Sequence, residues 1–373
     1  MIRIGIERKD LWLPLVKNRK TALCVNTSSY LDNGQRSLDV ILANADVRYL
    51  LSLEHGLFGK GEAGESMENT TYQGIPVISL YREDGAIALP PALKAEVEII
   101  LFDVQDLGLR FYTYIASLKA LLNEAGFLDI PVMVFDRLNP FGRRLSGNVL
   151  SSDDISFVGP DNLPIEYGMT IGELAQFFNA RNKNNCSLTI IPIEGWRDCL
   201  FCDSGRVFYQ TSPAIESFEA AFVYSGFCLF EALNVSEGRG TERPFRLIGA
   251  PYINPSHLLA SLPDAVKKGF LIAEKDFIPE KSKYAGLICH GLDFSVEDYS
   301  SADPLRLALA LIRSLFNLYP ECEWVVNKDS GTPFMNRLLG SEVKKDILSG
   351  SYEEQWEKDR EVFRQNTERF YLY

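Results

Sequence analysis

Four stretches of this 373-residue chain set acids, amides or an imidazole directly after an apolar run. Val25 is followed by Asn26, Thr27 and Ser28, and Leu53 by Glu54 and His55. Phe102 is followed by Asp103, Gln105 and Asp106, and Phe135 by Asp136, Arg137 and Asn139. Arg110, Phe111, Tyr112 and Tyr114 come soon after the third stretch. Paired carboxylates beside arginine and aromatic platforms are what glycoside hydrolysis requires. One carboxylic acid protonates the leaving oxygen; another carboxylate activates water, attacks, or stabilises positive charge. Glu54, His55, Asp103 and Asp106 are the candidate catalytic groups. A serine nucleophile would want a GxSxG elbow, which is not in the sequence. A cysteine nucleophile would want a partner histidine, and no cysteine sits beside His55. A divalent-metal hydrolase built from His55 with Asp103, Asp106 and Asp136 stays open. Yet the three histidines (55, 257 and 290) show neither HxxH nor HExxH spacing, and no metal site is assigned.

Such side chains need a rigid frame. Thr21–Val25, the run ending at Leu53, Ile75–Leu80, Glu98–Phe102 and Pro131–Phe135 read as strands. Leu38–Ala45, Pro90–Glu96 and Phe111–Ala125 read as intervening helices, the last stopped by Gly126. Continuous apolar strands alternating with helices predict a Rossmann-like, mostly parallel sheet covered by helices on both faces. Ligands in such sheets bind at the carboxyl ends of the strands. The polar tips therefore all fall on one edge, with Asn26, Asp136, Arg137 and Asn139 as binding candidates. No GxGxxG follows the first strand and no GxxxxGK[ST] occurs, which argues against NAD, FAD and nucleoside triphosphates. No cofactor is expected.

The second half is of a different kind. Thr170 and Glu173 form a capping-box signature ahead of a helix, and Leu188–Pro192 is one more strand. The pattern weakens around Phe208–Ser217. The expected division is a Rossmann-like domain over 1–215 and a smaller α+β domain over 216–373. An apolar helix over Ala220–Leu233 leads into Asn234-Val-Ser-Glu-Gly-Arg-Gly-Thr241. This loop is dense in glycine, charge and hydroxyls. Glu231, Asn234, Glu237, Gly238 and Arg239 are read as substrate-binding, with the glycine N–H groups free for an anionic or hydroxylated ligand. Short strands over Tyr284–Cys289 and Gly291–Phe294 and a helix over Leu305–Leu318 follow.

Bulk properties narrow the partners. A net charge of −12 repels phosphate backbones and anionic membrane surfaces, and no apolar run approaches the length that spans a bilayer, so neither nucleic-acid binding nor membrane insertion is expected. Seven scattered cysteines fit reduced thiols better than a disulfide framework, and Cys199-Leu-Phe-Cys202 has no second CxxC partner. The N-terminus shows no uninterrupted apolar stretch of signal-peptide type. The expected location is the cytoplasm, with the periplasm left open.

The ordered set Leu53-Glu-His-Gly56, Gly61-Glu-Ala-Gly-Glu65, Phe102–Tyr114, Phe135–Pro140, Tyr167–Ala175, Asn234–Thr241 and Arg243-Pro-Phe245 resembles the NamZ family of peptidoglycan exo-β-N-acetylmuramidases. The resemblance runs over nearly the whole chain. It implies a Rossmann-like N-terminal domain, a smaller C-terminal domain and an active cleft between them. It also implies release of N-acetylmuramic acid from the non-reducing end of muropeptides or peptidoglycan fragments, with Glu54 as the favoured acid. Two positions depart from the family pattern: Tyr167, where many members have His, and Glu231-Ala-Leu-Asn234, where many read EGTN. A non-catalytic muropeptide-binding protein is the remaining alternative. If muramic acid is the substrate, its lactyl carboxylate needs a local cation in so acidic a protein. Arg239 is the first choice and Arg110 the second, with Tyr112 and Tyr114 stacking on the sugar.

Overall fold

Strands buried on both faces read as nearly continuous apolar runs, and three runs of this chain do. A computed structural model of the chain describes residues 2–53, 70–80, 87–327, 331–341 and 343–373. Two compact units result, one of Met1–Leu145, Tyr167–Pro213 and Arg364–Tyr373, the other of Ser146–Glu166 and Ala214–Phe363. The chain thus passes from one unit to the other at 145/146, 166/167, 213/214 and 363/364.

The first unit holds a seven-stranded sheet. Its strands are β1 (Lys20–Val25), β2 (Asp46–Ser52), β3 (Thr70–Tyr72), β4 (Ile75–Ser79), β5 (Ile99–Asp103), β6 (Val132–Phe135) and β7 (Leu188–Ile191). They lie in the order β3-β4-β2-β1-β5-β6-β7. All neighbours run parallel except the edge pair β3 and β4. β1, β5 and β6 are buried almost throughout, which is why they read as unbroken apolar runs. Leu23, Val25, Leu101, Met133 and Phe135 pack with Trp12, Leu38 and Ile41 in one core layer. Residues of the other parity (Ala22, Cys24, Ile100, Phe102 and Val134) are equally buried, so both faces are covered. Helix Ile171–Arg181 packs on β6, on β7 and on helix Tyr114–Leu128. Its start is the expected capping box: Thr170 accepts from the Glu173 N–H, and the Glu173 carboxylate accepts from the Thr170 N–H.

One helix differs from its sequence reading. The helix expected over Phe111–Ala125 runs over Tyr114–Leu128, straight through Gly126, and ends at Asp129 in the left-handed region (φ 56°). Gly126 is there for close packing, since a Cβ would stand 2.4 Å from the Asn184 carbonyl oxygen.

The second unit is built on an antiparallel sheet of three strands: β8 (Leu247–Ala250), β9 (Phe270–Phe277) and β10 (Cys289–Val296), ordered β8-β10-β9. The strand expected over Gly291–Phe294 is the middle of β10, whereas the one expected over Tyr284–Cys289 is a turn that reaches β10 only at Cys289, and β9 had no counterpart in the sequence reading. Helix Phe218–Phe227 is buried on every side and packs against the amphipathic helix Pro304–Leu318. The expected helix over Ala220–Leu233 becomes Phe218–Phe227 followed by a 3₁₀ segment, Cys228–Ala232. Among the described residues no helix is long and apolar enough to cross a membrane.

Candidate active site

The sheet order puts a topological switch between β1 and β5. From β1 the chain winds outward through β2 and β4, then returns to β5 and winds the other way through β6 and β7. The carboxyl ends of β1 and β5 therefore lie at the reversal of winding, the place where such sheets bind ligands. β1 ends into Asn26 and β5 into Asp103. β2, beside β1, ends at Ser52 with Leu53 buried. Glu54 and His55, the proposed acid and its neighbour, lie outside the described residues.

Four of the strand-tip candidates hold the fold together. Asp103 is fully buried, and its two oxygens accept from Arg137 Nε (2.5 Å) and Nη2 (2.9 Å). Arg137 also donates to the Tyr30 carbonyl and to Ser37 Oγ. This forked pair clamps the end of β5 to the end of β6. Asp136, also fully buried, takes four donors: the N–H groups of Arg137 and Gly172, the Thr170 hydroxyl and the Tyr373 hydroxyl. Burial pushes its carboxyl up to about 7, against the pull of the Tyr373 bond. Asn139 donates to the Met169 carbonyl and accepts from the Phe141 N–H. With exposures of 0–3%, Asp103, Asp136, Arg137 and Asn139 are turned into the protein. The expectation that they line the ligand crevice gives way to hydrogen bonding that uses their polar atoms internally.

Asp106 and Asn26 differ. Asp106 is 4% exposed; its Oδ2 accepts from the Gly108 N–H (2.6 Å) and the Tyr167 hydroxyl. Its Oδ1 has no hydrogen-bond partner among the described residues. Burial raises its carboxyl to about 6, with the Tyr167 and backbone bonds opposing. Gly108 supplies the donor from a left-handed turn (φ 76°), and any Cβ there would collide with Asn139, 2.2 Å away. Asn26 is 6% exposed, and its Oδ1 accepts from the Ser28 N–H (3.0 Å) and hydroxyl (2.5 Å). Its Nδ2 likewise has no partner among the described residues. The two tips are stitched together: the Gln105 N–H donates to Ser28 Oγ (3.0 Å), and Ser29 Oγ donates to the Asp103 carbonyl (2.5 Å).

The aromatic candidates are not platforms. Tyr112 and Tyr114 meet edge-to-face at 4.8 Å and are 8% and 1% exposed. Both hydroxyls end on Thr211, one on its Oγ1 (2.9 Å) and one on its carbonyl (2.5 Å). Arg110 is fully buried. Thr211, in a weakly patterned loop, had no signal in the sequence.

In the second unit, Arg239 holds Glu231 Oε1 through Nε (3.1 Å) and Nη2 (2.5 Å), approaches Glu237 at 3.5 Å, and lies over the Phe245 ring at 4.7 Å. Glu237, 2% exposed, is also paired with Lys283 Nζ at 3.0 Å. Lys283, which the sequence reading did not pick out, further donates to the carbonyls of Phe230, Glu231 and Val235. Two acids and two bases thus cancel. Asn234 is spent on the chain at 321–323 and on Tyr252, while Tyr284 donates to its carbonyl. The Gly238 N–H, expected to be free for a ligand, donates to Ser236 Oγ (3.3 Å). This glycine is required by φ 75° and by the Arg243 carbonyl, 2.7 Å from where a Cβ would stand.

Two family models match the chain: "Exo-beta-N-acetylmuramidase NamZ, N-terminal" over residues 21–219 and "Exo-beta-N-acetylmuramidase NamZ, C-terminal" over 222–373. A curated relative, peptidoglycan beta-N-acetylmuramidase NamZ of Bacillus subtilis (strain 168), is 36% identical over 313 residues, covering 82% of this chain and 75% of the relative. Two solved structures, both DUF1343 family proteins from Bacteroides fragilis NCTC 9343, share the fold. They superpose with TM-scores of 0.85 and 0.75 at 23% and 26% identity, covering 100% of this chain and 99% of each. This chain belongs to the NamZ family of exo-β-N-acetylmuramidases and is a glycosidase.

Proposed function

We propose that this chain releases N-acetylmuramic acid from the non-reducing end of peptidoglycan fragments by carboxylate acid/base catalysis. Glu54 is the acid that protonates the leaving oxygen, and Asp106 is the second carboxylate. The observation that carries the second assignment is Asp106 Oδ1 at the switch point, buried and without a hydrogen-bond partner among the described residues, beside tips whose carboxylates are used internally. A carboxyl that titrates at about 6 is mostly ionised at neutral pH, which suits a base or charge stabiliser rather than the acid. That leaves the acid to Glu54, as the family resemblance implies. The substrate class rests on family membership and on the B. subtilis relative's name.

The metal-hydrolase alternative asks Asp103, Asp106 and Asp136 to converge. Among the described residues no group of three or more His, Cys, Asp or Glu is placed to hold an ion. Asp103 would also have to release Arg137. We place the protein in the cytoplasm, acting on imported fragments; the seven free cysteines, four of them buried, suit a reducing compartment.

A chromogenic N-acetylmuramic acid glycoside tests the reading. Turnover that survives a chelator and falls about 10²–10⁴-fold in Glu54→Gln is expected. Binding without turnover would make this a muropeptide-binding protein, and near-normal turnover in Glu54→Gln would move the acid to Asp106 or Glu237.

A further inference from the structure

Two buried side chains at the switch point each keep one polar atom without a partner among the described residues, and the two atoms are of opposite kind. Asn26 Nδ2 is a donor and Asp106 Oδ1 an acceptor. The identity of the donor is settled by its surroundings, because the Ser28 N–H can only give its hydrogen to an oxygen, and it gives it to Asn26 Oδ1. Burying such atoms unmet forfeits the hydrogen bonds they make to water, so most buried polar atoms have a partner. Both are held stiffly. Asn26 is fixed by Ser28 and Ser29, Asp106 by the Gly108 N–H and the Tyr167 hydroxyl, and Ser28 ties the two tips through the Gln105 N–H.

A ligand group that answers both atoms must carry an acceptor for Asn26 Nδ2 and a donor for Asp106 Oδ1. An amide does. Resting on the reading that the substrate is an N-acetylated muramic acid glycoside, we propose that Asn26 and Asp106 clasp the sugar's 2-acetamido group. Asn26 Nδ2 donates to its carbonyl oxygen and Asp106 Oδ1 accepts from its N–H, so that the acetamido oxygen serves as the internal nucleophile. The carbonyl oxygen attacks C1 with its free lone pair while the glycosidic C1–O bond breaks. That bond's electron pair departs on the leaving oxygen, which takes the proton of the acid assigned to Glu54. Asp106 stabilises the oxazolinium N–H, accepting its proton in part or in full, and a carboxyl raised by burial is suited to do so. Water then adds to C1, its proton going to ionised Glu54. The bond between C1 and the acetamido oxygen breaks, its electron pair returning to that oxygen to restore the acetamide with its N–H proton, and the anomeric configuration is retained. Substrate assistance of this kind is one of the known exceptions to the two-carboxylate scheme.

The test uses the full-length protein and chromogenic muramic acid β-glycosides bearing acetyl, monofluoroacetyl, difluoroacetyl and trifluoroacetyl groups. The expected result is a steep fall in kcat/KM with each fluorine, with the β-anomer of the sugar seen first by NMR. Asp106→Asn should lose about 10²–10⁴-fold in kcat on the acetyl substrate. Asn26→Asp keeps the oxygen that Ser28 holds but removes the donor, and should lose roughly 3- to 10-fold in kcat/KM. Rates indifferent to fluorination, or the α-anomer appearing first, would overturn the inference while leaving the muramidase reading intact. No hydrolysis of any muramic acid glycoside would instead strike the reading on which it rests.

Discussion

Two tips of one sheet carry similar residues to opposite ends. At the end of β6, Asp136, Arg137 and Asn139 are buried, and their carboxylate, guanidinium and amide are engaged within the unit. At the ends of β1 and β5, Asn26 and Asp106 are also buried, but each keeps an atom unmet among the described residues. Both groups follow the same kind of apolar strand, so residue type does not separate them. What separates them is whether the fold supplies the partner. The β6 tip receives donors from Thr170, Gly172 and Tyr373, elements that close over that end of the sheet. The β1/β5 tips lie where the winding reverses, and there no described segment supplies the missing partner.

The contrast breaks if variants at the two tips behave alike. Asp106→Asn is expected to lose about 10²–10⁴-fold in turnover with no loss of stability. Its effect on stability carries a sign. The fold raises the Asp106 carboxyl to about 6, above the ordinary value of about 3.9. The stabilising contribution of its protonated form is therefore present below about pH 4 and lost as pH rises through about 6. Urea denaturation should find Asp106→Asn more stable than wild type at pH 7–8, the difference closing toward pH 4. Arg137→Ala should do the reverse at the other tip. It strands a buried carboxylate and should cost about 3–5 kcal/mol in the urea midpoint analysis. A turnover defect in Arg137→Ala without a stability defect would reverse its assignment.

Smaller effects sharpen the picture. Arg239 is shared between Glu231 and Glu237 yet its side chain stays 38% exposed. If it also reads the lactyl carboxylate, Arg239→Ala should cost about 10- to 150-fold in selectivity for muramic acid over glucosamine glycosides. Equal loss on both sugars would leave Arg239 as a brace for its loop. The smallest change is expected from Tyr167→Phe. The Tyr167 hydroxyl bond holds the Asp106 carboxyl down, so losing it should move the acidic limb of kcat/KM to higher pH. An unmoved limb would mean that Asp106 does not set it.

Much of the frame was legible. β1, β5 and β6 are unbroken apolar runs because helices cover both sheet faces, and a strand with no wet side has no polar alternation to disguise it. Thr170 and Glu173 announced their helix because capping is a local matter of three residues. By contrast β9, an edge strand with exposed Leu271, Glu274, Lys275 and Asp276, has neither period nor apolar run to betray it. Nor do residues 146–166 and 364–373 announce which unit they join, since that depends on contacts far away in sequence.

For the site itself, the sequence by itself determined which residue types arrive at the carboxyl edge: covalent order and strand length deliver Asn26, Asp103, Asp106 and Asp136 there. Only the tertiary structure decided which of them remain available to a ligand. Availability is the difference between a polar atom and the partners that distant segments bring to it. Arg137, 34 residues on, neutralises Asp103, and Tyr373, 237 residues on, reaches Asp136. No described segment reaches Asp106 Oδ1.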